Sequence, residues 1–155
     1  STLLRGSAVR DAAPLTGGTV FDPDDLLAQM DELCRKSPRR NTGECVHGCG
    51  VGAADSPRLL LVREDIGRHN AMDKLIGQAW LDRIDLADKA LFITGRISSE
   101  MALKSYRAGC PLLVSRKSAT DEAARRASAL GLTLVSHCRE GGMRVLTHPE
   151  RVPSR

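Results

Sequence analysis

Apolar residues in this chain recur with two spacings, and their alternation predicts its elements. Leu26, Leu27, Met30, Leu33 and Cys34 fall at i, i+1, i+4, i+7 and i+8, the stripe of a helix with one buried face. Asp22 and Pro23 start it well, because Asp accepts from the first free N–H groups and Pro suits the first helical position. The stretch KSPRRNTG ends it. Residues 1–20, punctuated by Gly and Pro, read as a loop-rich lead-in.

Beyond the helix, ECVHGCGVGA is small and β-compatible. The turn ADSP and the apolar run RLLLV follow, and together they predict a hairpin. Met72, Leu75, Ile76, Ala79 and Trp80 return to helical spacing. ALFIT is a short buried strand. SSEMALKSYRAG is a helix with Ser98 as N-cap and Gly109 as stop, PLLVS a strand, and SATDEAARRASALG a helix closed by Gly131. LTLVSHC and MRVLTH complete the series. Strand and helix thus alternate after residue 58, which predicts a parallel or mixed sheet with crossover helices. With 155 residues, one α/β domain is the economical architecture: a lead-in over 1–21 and a core over 22–155.

Composition narrows the function classes. Hydrophobic residues at 41% and charged residues at 27% are ordinary for a globular chain. Aromatics at 3% are too few for a base-stacking platform. The net charge of +4 is spread without a basic run, so it suits an anionic small molecule better than nucleic acid. No apolar run approaches a membrane span, and no signal peptide is visible. The missing initiator Met leads us to expect a trimmed N-terminus. Five cysteines with irregular spacing argue against a disulfide framework and for free thiols in a reducing cytoplasm.

Three strand-to-helix junctions each place an Arg beside a helix start: Asp65-Ile66-Gly67-Arg68, Thr94-Gly95-Arg96 and Ser115-Arg116-Lys117-Ser118. In open α/β sheets the carboxyl ends of parallel strands share one edge, and ligands bind there. Helix starts attract anions, Gly67 and Gly95 permit close backbone approach, and Arg grips phosphate bidentately. A pocket for a diphosphate or nucleotide is the functional reading. The alternative is that Arg68 and Arg96 pair with carboxylates such as Asp65 or Glu100. His69 has two readings as well: a partly buried ring held by Asp73, or a donor facing the pocket. Neither a GxGxxG loop nor a Walker loop is present.

Cys45, His47 and Cys49 offer three zinc ligands, which keeps a zinc-dependent hydrolase in view. The spacing is neither C-x-x-C nor that of the zinc deaminases, and small residues alternating along a tight strand explain it better. No metal site is expected. Cys34 falls on the helix stripe and reads as core. Cys110, between Gly109 and Pro111, reads as structural. Cys138 borders a Gly-rich turn and is harder to dismiss.

EDIGRHNAMDKLIG (64–77), TGRISSEMALKSYRAGCPLLVS (94–115) and GLTLVSHCREGGMRVLTHPERV (131–152) resemble the formate dehydrogenase accessory sulfurtransferase family, FdhD. NTGECVHG (41–48) resembles that family's TGG-x-H-A segment. The resemblance runs from about residue 22 to the end. It implies a cytidine-deaminase-like three-layer α/β/α sandwich with a mixed sheet, usually as a homodimer. It also implies a sulfur carrier that passes persulfide sulfur from a cysteine desulfurase to the molybdenum (or tungsten) bis-pterin guanine dinucleotide cofactor, which then enters formate dehydrogenase.

By the same resemblance, the cofactor-binding string maps onto His137, Cys138, Arg139, Glu140, Gly141 and Gly142. The family usually begins this string with an aromatic and ends it with Arg, and Arg144 is the candidate for the missing charge. With Arg68, His69, Gly95, Arg96 and Arg116, these residues form the expected cofactor site. The family's reactive C-x-x-C-like loop lies upstream of the first helix, and nothing of that kind precedes Phe21. No catalytic residue is therefore assigned from sequence; Cys45, Cys49 and Cys138 are substitutes to test. A non-catalytic chaperone that holds the cofactor or a guanine nucleotide is the alternative function.

Overall fold

The structure is a computed structural model that describes residues 12–37, 42–43 and 45–154. The first part of the lead-in (1–11), the middle of the helix-closing stretch (38–41), Glu44 and Arg155 lie outside the described residues. In chain order the elements are α1 (Pro23–Arg35), β1 (His47–Ala53), β2 (Leu59–Asp65), α2 (Arg68–Leu81), β3 (Lys89–Ile93), α3 (Ser99–Arg107), β4 (Leu112–Ser115), α4 (Asp121–Ala129), β5 (Thr133–Arg139) and β6 (Gly142–Val145); a 3-10 turn (Pro149–Arg151) follows.

The expected punctuation is present. Asp22 accepts from the Asp24 N–H at 2.8 Å and caps α1. Ser98 caps α3 in the same way, through the Met101 N–H, and Thr120, which sequence reading did not single out, caps α4 through the Ala123 N–H. Gly109 and Gly131 take the left-handed conformation after α3 and α4, with φ of 75° and 68°.

Six strands form one mixed sheet in the order β2-β1-β3-β4-β5-β6. β1 and β2 are the predicted antiparallel hairpin, β3, β4 and β5 run parallel, and β6 turns back on β5. Helices cover both faces. On one face, Leu26, Met30 and Leu33 of α1 pack with Phe21 over Ala90, Phe92, Leu112, Val114 and Val135. On the other, Met72 and Leu75 of α2, Met101 of α3 and Ala123 of α4 pack over Val51, Leu91, Ile93, Leu113 and Leu134. Strand residues alternate between these layers, as a sheet buried on both faces requires. This is the three-layer α/β/α arrangement. Each fully buried Leu, Ile or Phe contributes about 1.5–3 kcal/mol to holding it together.

The small residues of β1 have a packing reason. Cys49 and Val51 belong to the three-helix layer. Gly48 and Gly52 face α1: a Cβ on Gly48 would stand 2.6 Å from Ser37 Oγ, and one on Gly52 would stand 2.5 Å from Gln29 Oε1. α1 also buries two polar side chains that its apolar stripe does not announce. Gln29 Nε2 donates to the carbonyls of Ala53 (2.8 Å) and Ser56, and Glu32 accepts from the Leu59 N–H at 2.7 Å. Both tie the helix to the hairpin backbone. Among the described residues, no helix is long and apolar enough to cross a membrane.

Candidate functional site

The strand register decides which junctions meet. His47 pairs with Asp65, Cys49 with Ile93 and Ile93 with Ser115, while Val114 pairs with Val135. The start of β1 and the ends of β2, β3, β4 and β5 therefore lie along one edge of the sheet. All three Arg-bearing junctions and the His137 string belong to this edge.

Hydrogen bonds lace neighbouring loops together there. The Gly48 N–H donates to Thr94 Oγ1 and the Thr94 N–H to the Gly48 carbonyl, both at 3.0 Å. The buried Ser115 hydroxyl donates to the Gly95 carbonyl at 2.6 Å and accepts from the Lys117 N–H at 2.8 Å. The His137 N–H reaches the Lys117 carbonyl at 2.9 Å. Such lacing fixes the loops through backbone and hydroxyl groups.

At the first two junctions the glycine, a ring and an arginine converge. A Cβ on Gly95 would lie 3.1 Å from His47 Nδ1 and 3.7 Å from Arg68 Cβ. Gly95 is thus small because His47 packs against it. The Gly67 N–H donates to Asp65 Oδ1 at 2.9 Å in an Asx turn that hands β2 over to α2. Asp65 is also paired with Lys74. The Lys74 ammonium and the Gly67 N–H hold this carboxyl down at about 2. The crowded charges behind β2 are thus partly pairs with one another, and Asp65 is taken by Lys74. His69 faces Glu100 at 3.9 Å, while Asp73 pairs with Lys104. Of the two readings of His69, the ring held by Asp73 gives way because α3 brings its own charges against α2. Arg96 is exposed and Arg68 half-buried.

At the β4 end, Arg116 Nη1 donates to Cys34 Sγ at 3.1 Å. Cys34 packs against the core yet remains half-exposed. Cys138 is buried below, with Sγ 3.7 Å from the Leu26 carbonyl. Burial first, then the charges of Asp31 and Cys34, push its thiol up to about 12 against the opposing pull of Arg116. Cys49 and Cys110 are buried too, and burial pushes both thiols up to about 12. Cys45 is exposed. Among the described residues, no three His, Cys, Asp or Glu side chains group as metal ligands.

The His137 string forms a bulged hairpin. The register of β5 and β6 shifts between Ser136 and Arg139, and His137 sits there at φ 52°, a conformation that non-glycine residues rarely adopt. Gly141 and Gly142, at φ 94° and 132°, make the return turn. A hollow of about 290 Å³ opens here, lined by His137, Arg139, Glu140, Gly141, Gly142, Met143 and Arg144. Arg144 thus joins the string it was read beside, whereas the bulge turns Cys138 inward. A larger hollow of about 590 Å³ lies beside β2, with Lys36, Arg63, Glu64 and Lys74 in its wall. Arg68, Arg96 and Arg116 line neither hollow.

Sequence reading missed His47 as the partner of Gly95 and Cys34 as the partner of Arg116. Both contacts join residues far apart in sequence, and no local spacing signals them. Lys117, exposed at the same edge, stood in the quoted junction and needed only the parallel register to be placed.

Fold and edge together define a three-layer α/β protein with a guanidinium-rich rim at its strand ends. The model of the FdhD/NarQ family matches residues 4–153, and the chain belongs to that family. It is 35% identical over 144 residues to the sulfur carrier protein FdhD of Bacillus subtilis, covering 93% of this chain and 54% of that protein. It is 38% identical over 138 residues to the sulfur carrier protein FdhD of Xanthomonas oryzae pv. oryzae, covering 89% and 49%. A crystal structure of a formate dehydrogenase accessory protein from Desulfotalea psychrophila superposes with a TM-score of 0.81 at 36% identity, covering 90% of this chain and 62% of that one. The chain spans about half the length of the curated relatives it matches.

Proposed function

We propose that this chain is part of a sulfur carrier serving formate dehydrogenase. In this reading its strand-end edge binds the molybdenum (or tungsten) bis-pterin guanine dinucleotide as substrate. Persulfide sulfur supplied by a cysteine desulfurase passes to the bound cofactor before it enters the dehydrogenase. The protein works in the cytoplasm as a homodimer.

The observation that carries this reading is the common edge shared by Arg68, Arg96, Arg116 and the Arg139–Arg144 hairpin. Diphosphates need several convergent cations and N–H donors, and Arg supplies them in bidentate form. The names of the relatives support the sulfur-carrier half of the reading.

Titration calorimetry with GDP tests the binding half. Affinity is expected to fall with added salt and to weaken in Arg139→Ala and Arg144→Ala; absence of heat at millimolar GDP defeats it. Transfer of labelled sulfur from a desulfurase tests the carrier half.

The burial of Cys49, Cys110 and Cys138 favours a second reading, a chaperone that holds the cofactor and transfers nothing. It requires GDP binding that survives replacement of all five cysteines, with no sulfur label on any of them.

A further inference from the structure

Glu64 is a carboxylate left unpaired among cations. Its Oε1 is buried and has no hydrogen-bond partner among the described residues. Yet Lys36, Arg63 and Lys74 line the same hollow of about 590 Å³ beside β2. Each of these cations is engaged elsewhere. Lys36 pairs with Glu32 at 2.7 Å, and Arg63 Nη1 donates to the Val62 carbonyl at 2.7 Å. Lys74 pairs with Asp65 and reaches the Glu64 backbone carbonyl at 3.3 Å. Gly48 lies opposite Glu64 in the β1–β2 ladder, and the fully buried Ser37 holds its own unpartnered Oγ over Gly48. Buried polar atoms are nearly always hydrogen-bonded, so two unpartnered ones in one corner mark a place whose partner lies outside the chain. Val46, Val62 and Ile66 supply apolar wall to the hollow, whose size suits a small ring system.

We propose, on the cofactor-binding reading above, that this hollow receives the 2-amino-oxo edge of a heterocyclic ring and that Glu64 reads that edge. Such an edge presents a ring N–H and an adjacent exocyclic NH2, two parallel donors that one carboxylate accepts together. Guanine and pterin share it, and the cofactor of the proposed function contains both rings. Adenine and hypoxanthine lack the pair. The flat ring lies against the apolar wall, and the half-exposed ammonium groups of Lys36 and Lys74 face the negative charge the ring carries with it. Arg68 opens the next helix after β2, so a diphosphate attached to the ring extends along the guanidinium-rich rim. The sheet order places this hollow at the opposite end of the edge from the His137 hairpin. A bis-dinucleotide has two guanine ends to place, and the two hollows stand at the two ends of one rim.

The test follows hydrogen exchange of the β2 peptide in the full chain while GDP, IDP, XDP or neopterin is added, so that binding at this end is read apart from binding at the hairpin. GDP is expected to protect β2 at roughly tenfold lower concentration than IDP, which lacks the amino group. Neopterin protecting β2 as well supports the shared ring edge, and protection by GDP alone assigns the hollow to guanine. Glu64→Gln should lose the preference for GDP over IDP and protect better with XDP than the wild type does, because the amide can donate to the 2-oxo group that a carboxylate repels. That gain also shows that the variant folds. Equal response to GDP and IDP in the wild type, or a preference unchanged in Glu64→Gln, overturns the role of Glu64. Protection at the hairpin without protection at β2 overturns the inference and leaves the cofactor-binding reading standing. No protection anywhere, with no heat from millimolar GDP, overturns both.

Discussion

Gly52 and Gln29 compete for one volume. A β-carbon on Gly52 would lie 2.5 Å from Gln29 Oε1, 2.6 Å from Cδ and 2.7 Å from Nε2. The amide cannot retreat, because Nε2 is held by the carbonyls of Ala53 and Ser56 at the tip of the β1–β2 hairpin. α1 approaches the sheet this closely only because β1 presents no side chain there.

Gly52→Ala is therefore expected to destabilise the protein by about 1–3 kcal/mol, the usual cost of overpacking a fixed site. Gly77→Ala is its control. Gly77 sits inside α2 with nothing within 4 Å of its missing Cβ, and that change should stabilise by about 0.5–1 kcal/mol. Urea denaturation of the two variants gives shifts of opposite sign if this packing is right.

Glu32 supplies the second tie. Burial by itself raises its pKa, but the Lys36 ammonium, the Leu59 N–H and the Arg58 guanidinium outweigh burial and hold it below the ordinary value. The group is thus more acidic in the folded than in the unfolded state. Its contribution is present above the unfolded pKa and is lost as pH falls through the folded one. At pH 7, Glu32→Gln should cost about 1–3 kcal/mol. The gap between the wild type and the variant should narrow as pH is lowered below about 4. Thermal melts from pH 7 to pH 3 check this, and a gap that widens on acidification contradicts it.

Much of the fold was legible in local patterns, and the exceptions share a cause. Helix starts were readable at Asp22 and Ser98 because capping is a contact between near neighbours. The β1–β2 hairpin and the alternation after it followed from spacing alone. The burial of Gln29 and Glu32 was not readable, because their partners are hairpin backbone groups that only the tertiary fold supplies. The three Arg junctions could be assigned to strand ends from sequence, but placing them on one edge needed the register. His137 looks ordinary in the string HCREGG, and its left-handed backbone appears only with the bulge.

Arg151 illustrates the same limit near the C-terminus and carries its own prediction. Its buried guanidinium donates to the carbonyls of Leu15, Gly17 and Gly131 and to Thr133 Oγ1. The Phe21 N–H returns a bond to the Arg151 carbonyl at 2.7 Å. One residue therefore fastens the segment leading into α1 to the 3-10 turn that follows the sheet. Arg151→Met keeps the apolar stem but removes the donors, and it should cost about 2–4 kcal/mol through lost charge-assisted bonds. Hydrogen exchange should rise first in residues 12–21; unchanged protection there would show that Arg151 is not the fastener.

The cysteines allow the most direct check on the site. Cys49, Cys110 and Cys138 are buried, whereas Cys34 is half-buried and Cys45 exposed. Desolvation pushes each of the three buried thiols up to about 12. At pH 8 a thiol with that pKa is ionised in only about one molecule in ten thousand. Thiolate, not thiol, attacks a disulfide reagent. Ellman's reagent should therefore meet two fast thiols in the native protein and all five after denaturation. Cys34→Ser and Cys45→Ser should each remove one fast equivalent, while Cys138→Ser removes none. Raising the pH from 8 to 9 should leave the fast count unchanged, because access as well as ionisation protects the other three. A third fast equivalent that disappears in Cys138→Ser would mean that the β5–β6 bulge exposes this sulfur.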